Sequence, residues 1–184
     1  ALKGQINPHF MFNNLNTLSG LIHEDVDRAD RFIGALSKNL RYVLEQNKEI
    51  VVTLDKEIEF IKSYIHLQEE RFGHKLKINI NVEESQMDYQ LPALTLELLI
   101  ENALKHNIVS TTKPLNVEVN VDGDFLVVKN NYQPKLDGVV STGIGLDNLK
   151  EQLQLLGLNG STFGIQGDEY VARVAMLKMP STDI

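Results

Sequence analysis

The 184-residue chain contains no cysteine. Disulfides and thiolate metal sites are therefore excluded, and a reducing compartment fits. No apolar run reaches the roughly 20 residues that a membrane span needs, and no signal peptide is visible. Internal repeats and low-complexity tracts are missing too. Positive charge is in short supply: 18 Lys and Arg stand against 25 Asp and Glu, a net charge of −7. The deficit is uneven, with 6 basic and 5 acidic residues up to Lys48 and 12 basic and 20 acidic after it. A nucleic-acid binder would show a basic field, so that class is excluded. The chain also lacks an initiator methionine and opens inside helical sequence, so a piece of a longer protein is expected.

What remains is ordinary globular material, 42% hydrophobic and 23% charged, enough for a core in one large domain or two small ones. Residues 2–22 read as a helix, with Met11, Leu15, Leu18 and Ile22 at steps of 4, 3 and 4. The acidic segment His23-Glu24-Asp25 is a turn. Val26, Ala29, Ile33, Leu36, Leu40 and Val43 then form a heptad-like seam. The expectation is an antiparallel hairpin, with a four-helix bundle as its natural completion in a dimer. The less favoured alternative packs the hairpin on the domain that follows.

Glu45 to Glu49 reads as a polar linker, which puts a first domain at residues 1–48 and a second at 49–184. The second is α+β. A short strand at Ile50–Leu54 leads to a helix N-capped by Asp55, with Ile58, Ile61, Ile65 and Gln68 on one side and Gly73 as its stop. Leu76, Ile78, Ile80 and Val82 alternate as a strand. Pro92 opens the next helix. Val117 to Val127 form a hairpin across Asp122-Gly123. A polar loop, 131–142, leads to a helix striped by Leu146, Leu149, Leu153 and Leu156, and a last hairpin turns at Gly167-Asp168.

Three stretches carry chemistry. In Glu97–Asn107, Ala93, Leu96, Ile100 and Ala103 make an apolar stripe, while Asn102, Lys105 and His106 share the opposite face. An amide, an ammonium and an imidazole facing one way suit a phosphate ester and its metal; by itself the stretch reads more simply as a solvated face with a Glu101–Lys105 pair. Ser141 to Asn148 is a glycine turn running into a helix, where backbone N–H groups and the helix dipole suit a polyphosphate. It is neither a P-loop nor a dinucleotide fingerprint, for want of Gly-Lys-Ser/Thr and a third glycine. Around Gln5–Asn16, Pro8 disfavours a straight helix and His9 falls about half a turn from the Met11–Ile22 stripe. An exposed imidazole is a competent nucleophile near neutral pH. The plain alternative is a helix capped by Asn7, with His9 in its first turn.

Taken together, Asn7-Pro8-His9-Phe10-x-Phe12-Asn13, Glu101-Asn102-Ala103-x-Lys105-His106 and Thr142-Gly143-Ile144-Gly145-Leu146-x-Asn148 resemble the sensor histidine kinases of the LytS/YehU type, over nearly the whole chain. The resemblance implies a dimerisation and phosphoacceptor hairpin followed by a two-layer α/β sandwich of the GHKL ATPase type. It implies that His9 takes the γ-phosphoryl group of ATP and passes it to an aspartate of a response regulator. Asn102 matches the Mg²⁺-binding asparagine, Lys105 and His106 match phosphate contacts, and Asn130 matches the adenine-reading position. Thr142, Gly143, Ile144, Gly145, Leu146 and Asn148 match the second glycine box, and 131–142 the lid over ATP. The resemblance also implies the cytoplasmic portion of a bacterial inner-membrane sensor, homodimeric, with its membrane segment upstream.

The chain departs from that pattern in three places. Asn130-Asn131-Tyr132 stands where Asp-x-Gly is usual, so an amide oxygen must accept the hydrogen bond a carboxylate otherwise takes. Phe10 follows the phosphoacceptor where many histidine kinases carry an acid. Leu98 holds a place usually polar, which leaves Glu101 as the candidate base and metal contact. Two functions follow: an ATP-dependent histidine kinase core, or a non-catalytic dimeric signalling module whose nucleotide site has decayed.

Overall fold

The computed structural model describes residues 8–45, 49–135 and 144–178, with side chains from Phe10 onward. Helices α1 (Pro8–Glu24) and α2 (Val26–Glu45) form the hairpin, with the break at Asp25, where the sequence places the turn. Asp25 itself caps α2, its side chain accepting from the Arg28 N–H at 3.0 Å. The second unit runs β1 (Val51–Thr53), α3 (Leu54–Phe72), β2 (Leu76–Asn81), β3 (Gln90–Pro92), α4 (Thr95–His106), β4 (Leu115–Asp122), β5 (Phe125–Asn131), α5 (Ile144–Leu155), β6 (Thr162–Gln166) and β7 (Glu169–Ala175). The fold is α+β, as expected.

One sheet has the order β2-β4-β5-β7-β6, with β2 and β4 parallel and the other neighbours antiparallel. A small antiparallel pair joins β1 to β3. Alternation along β4 buries Leu115, Val117 and Val119, and along β5 it buries Leu126 and Val128. Against that face lie Ile58, Ile61 and Ile65 of α3, Leu96 and Ile100 of α4, and Leu149 and Leu153 of α5, in one continuous core. Gly73 ends α3 at φ 57°, its N–H bonded to Glu69 O.

Two helix starts differ from the sequence reading. Thr53, not Asp55, caps α3, its hydroxyl accepting from the Lys56 N–H. Pro92 lies in β3 rather than in a helix, and α4 begins three residues later at Thr95. The preceding residue, Leu94, is left-handed at φ 66° and offers no side-chain cap. The cap comes from elsewhere: the fully buried Glu57 of α3 accepts from Leu94 N at 2.8 Å and Leu96 N at 3.0 Å.

The hairpin packs on α3. Leu21, Ala29, Phe32, Leu36 and Leu67 close a second, smaller cluster, and Tyr42 stacks on Phe60 with ring centroids 4.0 Å apart. Arg28–Glu70 and Lys38–Glu59 pairs flank it. This is the alternative that the seam pattern had placed second. The seam splits accordingly: Ala29 and Leu36 are buried, Phe32 replaces Ile33, and Val26 and Ile33 are 71% and 45% exposed. On α1, Asn14 and Leu21 are buried while Leu15 and Ile22 are about half exposed. The cause lies in α3, which carries apolar side chains beyond the sheet-facing isoleucines: Phe60 and Leu67 are buried under the hairpin, and Tyr64 stacks on Phe10.

Candidate functional site

Helix α4 is pinned by its apolar stripe, with Leu96, Ile100 and Ala103 buried. The opposite face is thereby aimed at a cavity of about 530 Å³, and Glu101, Asn102, Lys105 and His106 all stand on its wall. Asn130 and Tyr132, with Pro134 and Lys135, line the same cavity. So do Gly145, Leu146 and Asp147 of α5 and Ile165 and Tyr170 of the last hairpin. A face that periodicity alone would assign to solvent is the wall of a built pocket.

The segment where the sequence departs from the family pattern is densely tied. Asn130 is buried, and its Nδ2 donates to Asn131 O at 2.8 Å. That carbonyl only accepts, which sets the turn of the amide, with Nδ2 at Asn131 O and Oδ1 on the opposite side as an acceptor. Asn131 bridges to β4, accepting from Asn116 N at 2.8 Å and donating to Pro114 O at 3.1 Å. Gln133 Nε2 reaches the carbonyls of Ile108 and Lys113 at 2.6 and 3.0 Å, and Gln133 N donates to Asn107 Oδ1 at 2.8 Å. Buried Asn107 in turn donates to Ala103 O at 2.9 Å. Lys135 Nζ donates to Leu104 O and Lys105 O at 3.0 and 2.9 Å. The chain leaving β5 is thus clamped onto the C-terminal end of α4, and a cation sits on that end's free carbonyls, where the helix dipole favours it.

Electrostatics divide the pocket. Burial first, then Lys105 and Lys135, lower the His106 pKa, so its imidazole is neutral at pH 7. Burial and Arg71 lower Lys135. On the other flank of α4, burial pushes Glu97 up to about 8, helped by Glu101 and Glu57. Burial also raises Glu57 to about 7, against the pull of the Leu96 and Leu94 N–H groups.

A Cβ on Gly145 would lie 2.7 Å from Leu98 Cδ1, so a larger residue there would require the Leu98 side chain to turn aside. The start of α5 comes down onto α4 at the position where a polar residue is usual. Leu98 is therefore packing surface for the start of α5.

Of the residues singled out from sequence, Glu101, Asn102, Lys105, His106, Asn130, Gly145 and Leu146 line one cavity. Ile144 and Asn148 lie in α5, and Asp147 rather than either of them reaches the wall. Thr142 and Gly143 fall outside the described residues, as does most of the 131–142 loop. His9 is in the first turn of α1, and its side chain lies outside the described ones. Its neighbour Phe10 stacks on Tyr64 at 5.7 Å, so Phe10 serves as an anchor on α3. Sequence reasoning missed Lys135, Tyr132, Gln133 and Asn107. They sit in a polar stretch without periodicity, and only an excess of amides there could have marked them. Among the described residues no group of three or more His, Asp or Glu could hold a metal. The amide oxygen of Asn102 and the carboxylate of Glu101 are hard donors of the kind that assist Mg²⁺ held mainly by phosphates and water.

The histidine kinase family profile matches residues 1–76. The sensor histidine kinase/phosphatase LytS of Staphylococcus aureus is 30% identical over 183 residues, covering 90% of this chain. The chain spans 31% of that relative's length. The cytoplasmic segment of histidine kinase QseC shares 18% identity at a TM-score of 0.49, over 84% of this chain and 95% of that one. The blue-light activated histidine kinase EL346 of Erythrobacter litoralis shares 16% at 0.47, over 92% and 57%. Likeness in shape at that level adds no weight. The profile and the LytS relatives do: residues 1–76 match the histidine kinase family, and the similarity to LytS extends over nearly the whole chain.

Proposed function

We propose that the chain is the core of an ATP-dependent protein histidine kinase of a two-component system. The observation that carries this is the meeting of Asn102, Lys105, His106, Asn130 and Gly145 around one cavity. ATP would lie with its adenine at Asn130 and its phosphates toward Lys105, His106 and the N–H groups at the start of α5. Asn102 would help hold Mg²⁺, which would supply charge neutralisation of the phosphates. A ring nitrogen of His9 attacks the γ-phosphorus, the bond to the β–γ bridging oxygen breaks, and ADP leaves with that electron pair. Glu101 is the candidate acceptor of the imidazole proton. The phosphoryl group then passes to an aspartate of a response regulator. Transfer needs the hairpin to move relative to the nucleotide domain.

Leu15, Ile22, Val26 and Ile33, exposed along the hairpin, are the surface a second copy would cover in a homodimer. The longer protein would be a bacterial inner-membrane sensor with its membrane segment upstream. Among the described residues no helix is long and apolar enough to cross a membrane.

The test is labelling with Mg·ATP. The expected product is acid-labile, base-stable phosphate, abolished in His9→Gln, with ATP binding weakened in Asn102→Ala and Lys105→Ala. Label that survives His9→Gln would sink the phosphoacceptor assignment. The second reading, a dimeric module with a decayed site, is favoured by Asn130-Asn131-Tyr132, and a calorimetric titration that finds no nucleotide binding would establish it.

A further inference from the structure

Glu57 is a carboxylate with no exposed surface, in the first turn of α3, and the proposed reaction does not use it. It touches three elements. It belongs to α3. Its Oε1 and Oε2 accept from Leu94 N and Leu96 N at the start of α4. Its Oε1 also accepts from the Tyr42 hydroxyl of α2 at 3.3 Å. Each contact answers a need. Leu94 is a left-handed, non-glycine residue with no capping side chain, so the first turn of α4 has free N–H groups and a strained entry. A buried carboxylate in turn needs donors on both oxygens. Tyr42 is held by its stack on Phe60, one helical turn below Glu57. Burial and the nearby Glu57 raise its pKa, so the hydroxyl keeps its proton and donates.

We propose that Tyr42 and Glu57 form a relay through which the hairpin sets the position of α4. Tyr42 steadies the carboxylate, the carboxylate steadies the first turn of α4, and that helix carries Asn102, Lys105 and His106 two to three turns further on. Glu57 and Tyr42 are positioning residues and touch no substrate. The consequence rests on the nucleotide site proposed above: a hairpin that moves away for phosphoryl transfer withdraws Tyr42 and loosens the grip on the phosphate-facing helix. Nucleotide affinity and hairpin position are then linked, and linkage of this kind is reciprocal.

Hydrogen exchange in the nucleotide-free chain tests the relay without assuming that ATP binds. Tyr42→Phe keeps the ring stack and removes only the hydroxyl. The amides of Leu96 to Leu99 should then exchange about fivefold faster, the factor expected of one lost hydrogen bond. Glu57→Gln should speed them further, because its amide nitrogen faces an N–H. Arg28→Ala, which breaks a different hairpin–α3 contact, should leave them unchanged. Exchange in α4 that ignores Tyr42→Phe, or that responds equally to Arg28→Ala, overturns the relay. Should wild-type protein fail to bind ATP, the proposed function falls while the exchange result still decides the relay. If ATP binds, the Tyr42→Phe and Glu57→Gln losses in affinity should be non-additive in a double-mutant cycle, and strict additivity counts against it.

Discussion

Single residues on α4 divide along its two flanks. Lys105, His106 and Asn102 face a ligand cavity, whereas Glu97 faces Glu57 and Glu101. Both Glu97 and Glu57 hold protons more tightly folded than unfolded, with values of about 8 and about 7 against an ordinary 4.5. The folded chain therefore binds more protons than the unfolded one between those limits, and their contribution to stability is full below about pH 4.5 and fades as pH rises through 7 to 8. The melting temperature should fall from pH 5 to pH 8.5, and Glu97→Gln should flatten that fall. An identical slope in the variant would show that Glu97 titrates normally. That Asn102 and Lys105 share a face was legible from sequence, because their spacing puts them together on a helix, and the structure places both on one cavity. Glu57 was not, since a glutamate in a helix looks solvated until the fold buries it.

The clamp between the end of β5 and the end of α4 belongs to the scale of elements. Gln133 binds carbonyls on both sides of the loop after α4, and Asn107 ties Gln133 to the helix. This fixes the distance between Asn130 and the Lys105–His106 end of the pocket. Gln133→Leu takes the Nε2 donor from the half-buried Ile108 carbonyl and the exposed Lys113 carbonyl and should destabilise the fold by about 1 kcal/mol. It should also weaken binding of a non-hydrolysable ATP analogue about tenfold, roughly 1.4 kcal/mol, while Gln133→Asn recovers little because its reach is shorter. Full analogue affinity in Gln133→Leu would mean that the segment positions nothing. The strands and helices themselves were largely readable: the alternation in β4 and β5 and the stop at Gly73 appear where the pattern puts them. The start of α4 did not, because proline at a first turn is a local rule and the actual cap comes from Glu57, 37 residues upstream of Leu94.

At the scale of the whole molecule, α3 is the shared wall between two cores. Its isoleucines close the sheet side, and Leu67, with Phe60 and Tyr64, closes the hairpin side. Phe32 is the most buried side chain of the smaller cluster, at 0% exposure. Phe32→Ala should cost about 3–5 kcal/mol in urea denaturation. A change under about 1 kcal/mol would show that the hairpin leaves α3 in solution. Inside the same interface Asn39 has neither amide atom partnered and Gln68 Oε1 has none, within the described residues. Such groups weaken the docking of the hairpin on α3.

The sequence by itself determined the hairpin, the α+β unit after it and the polar face of α4, because each is encoded by period, turn residue or side-chain chemistry within a short span. It also carried the family resemblance that the LytS relatives bear out. Only the tertiary structure decided which apolar faces meet and where α4 begins. It alone showed that the amide-rich stretch from Asn130 to Lys135 is a clamp. Those outcomes depend on burial and on hydrogen bonds between residues far apart in the chain. A pattern of 3.6 or 2 residues names a face, and the partner of that face is settled only when every other face has been covered.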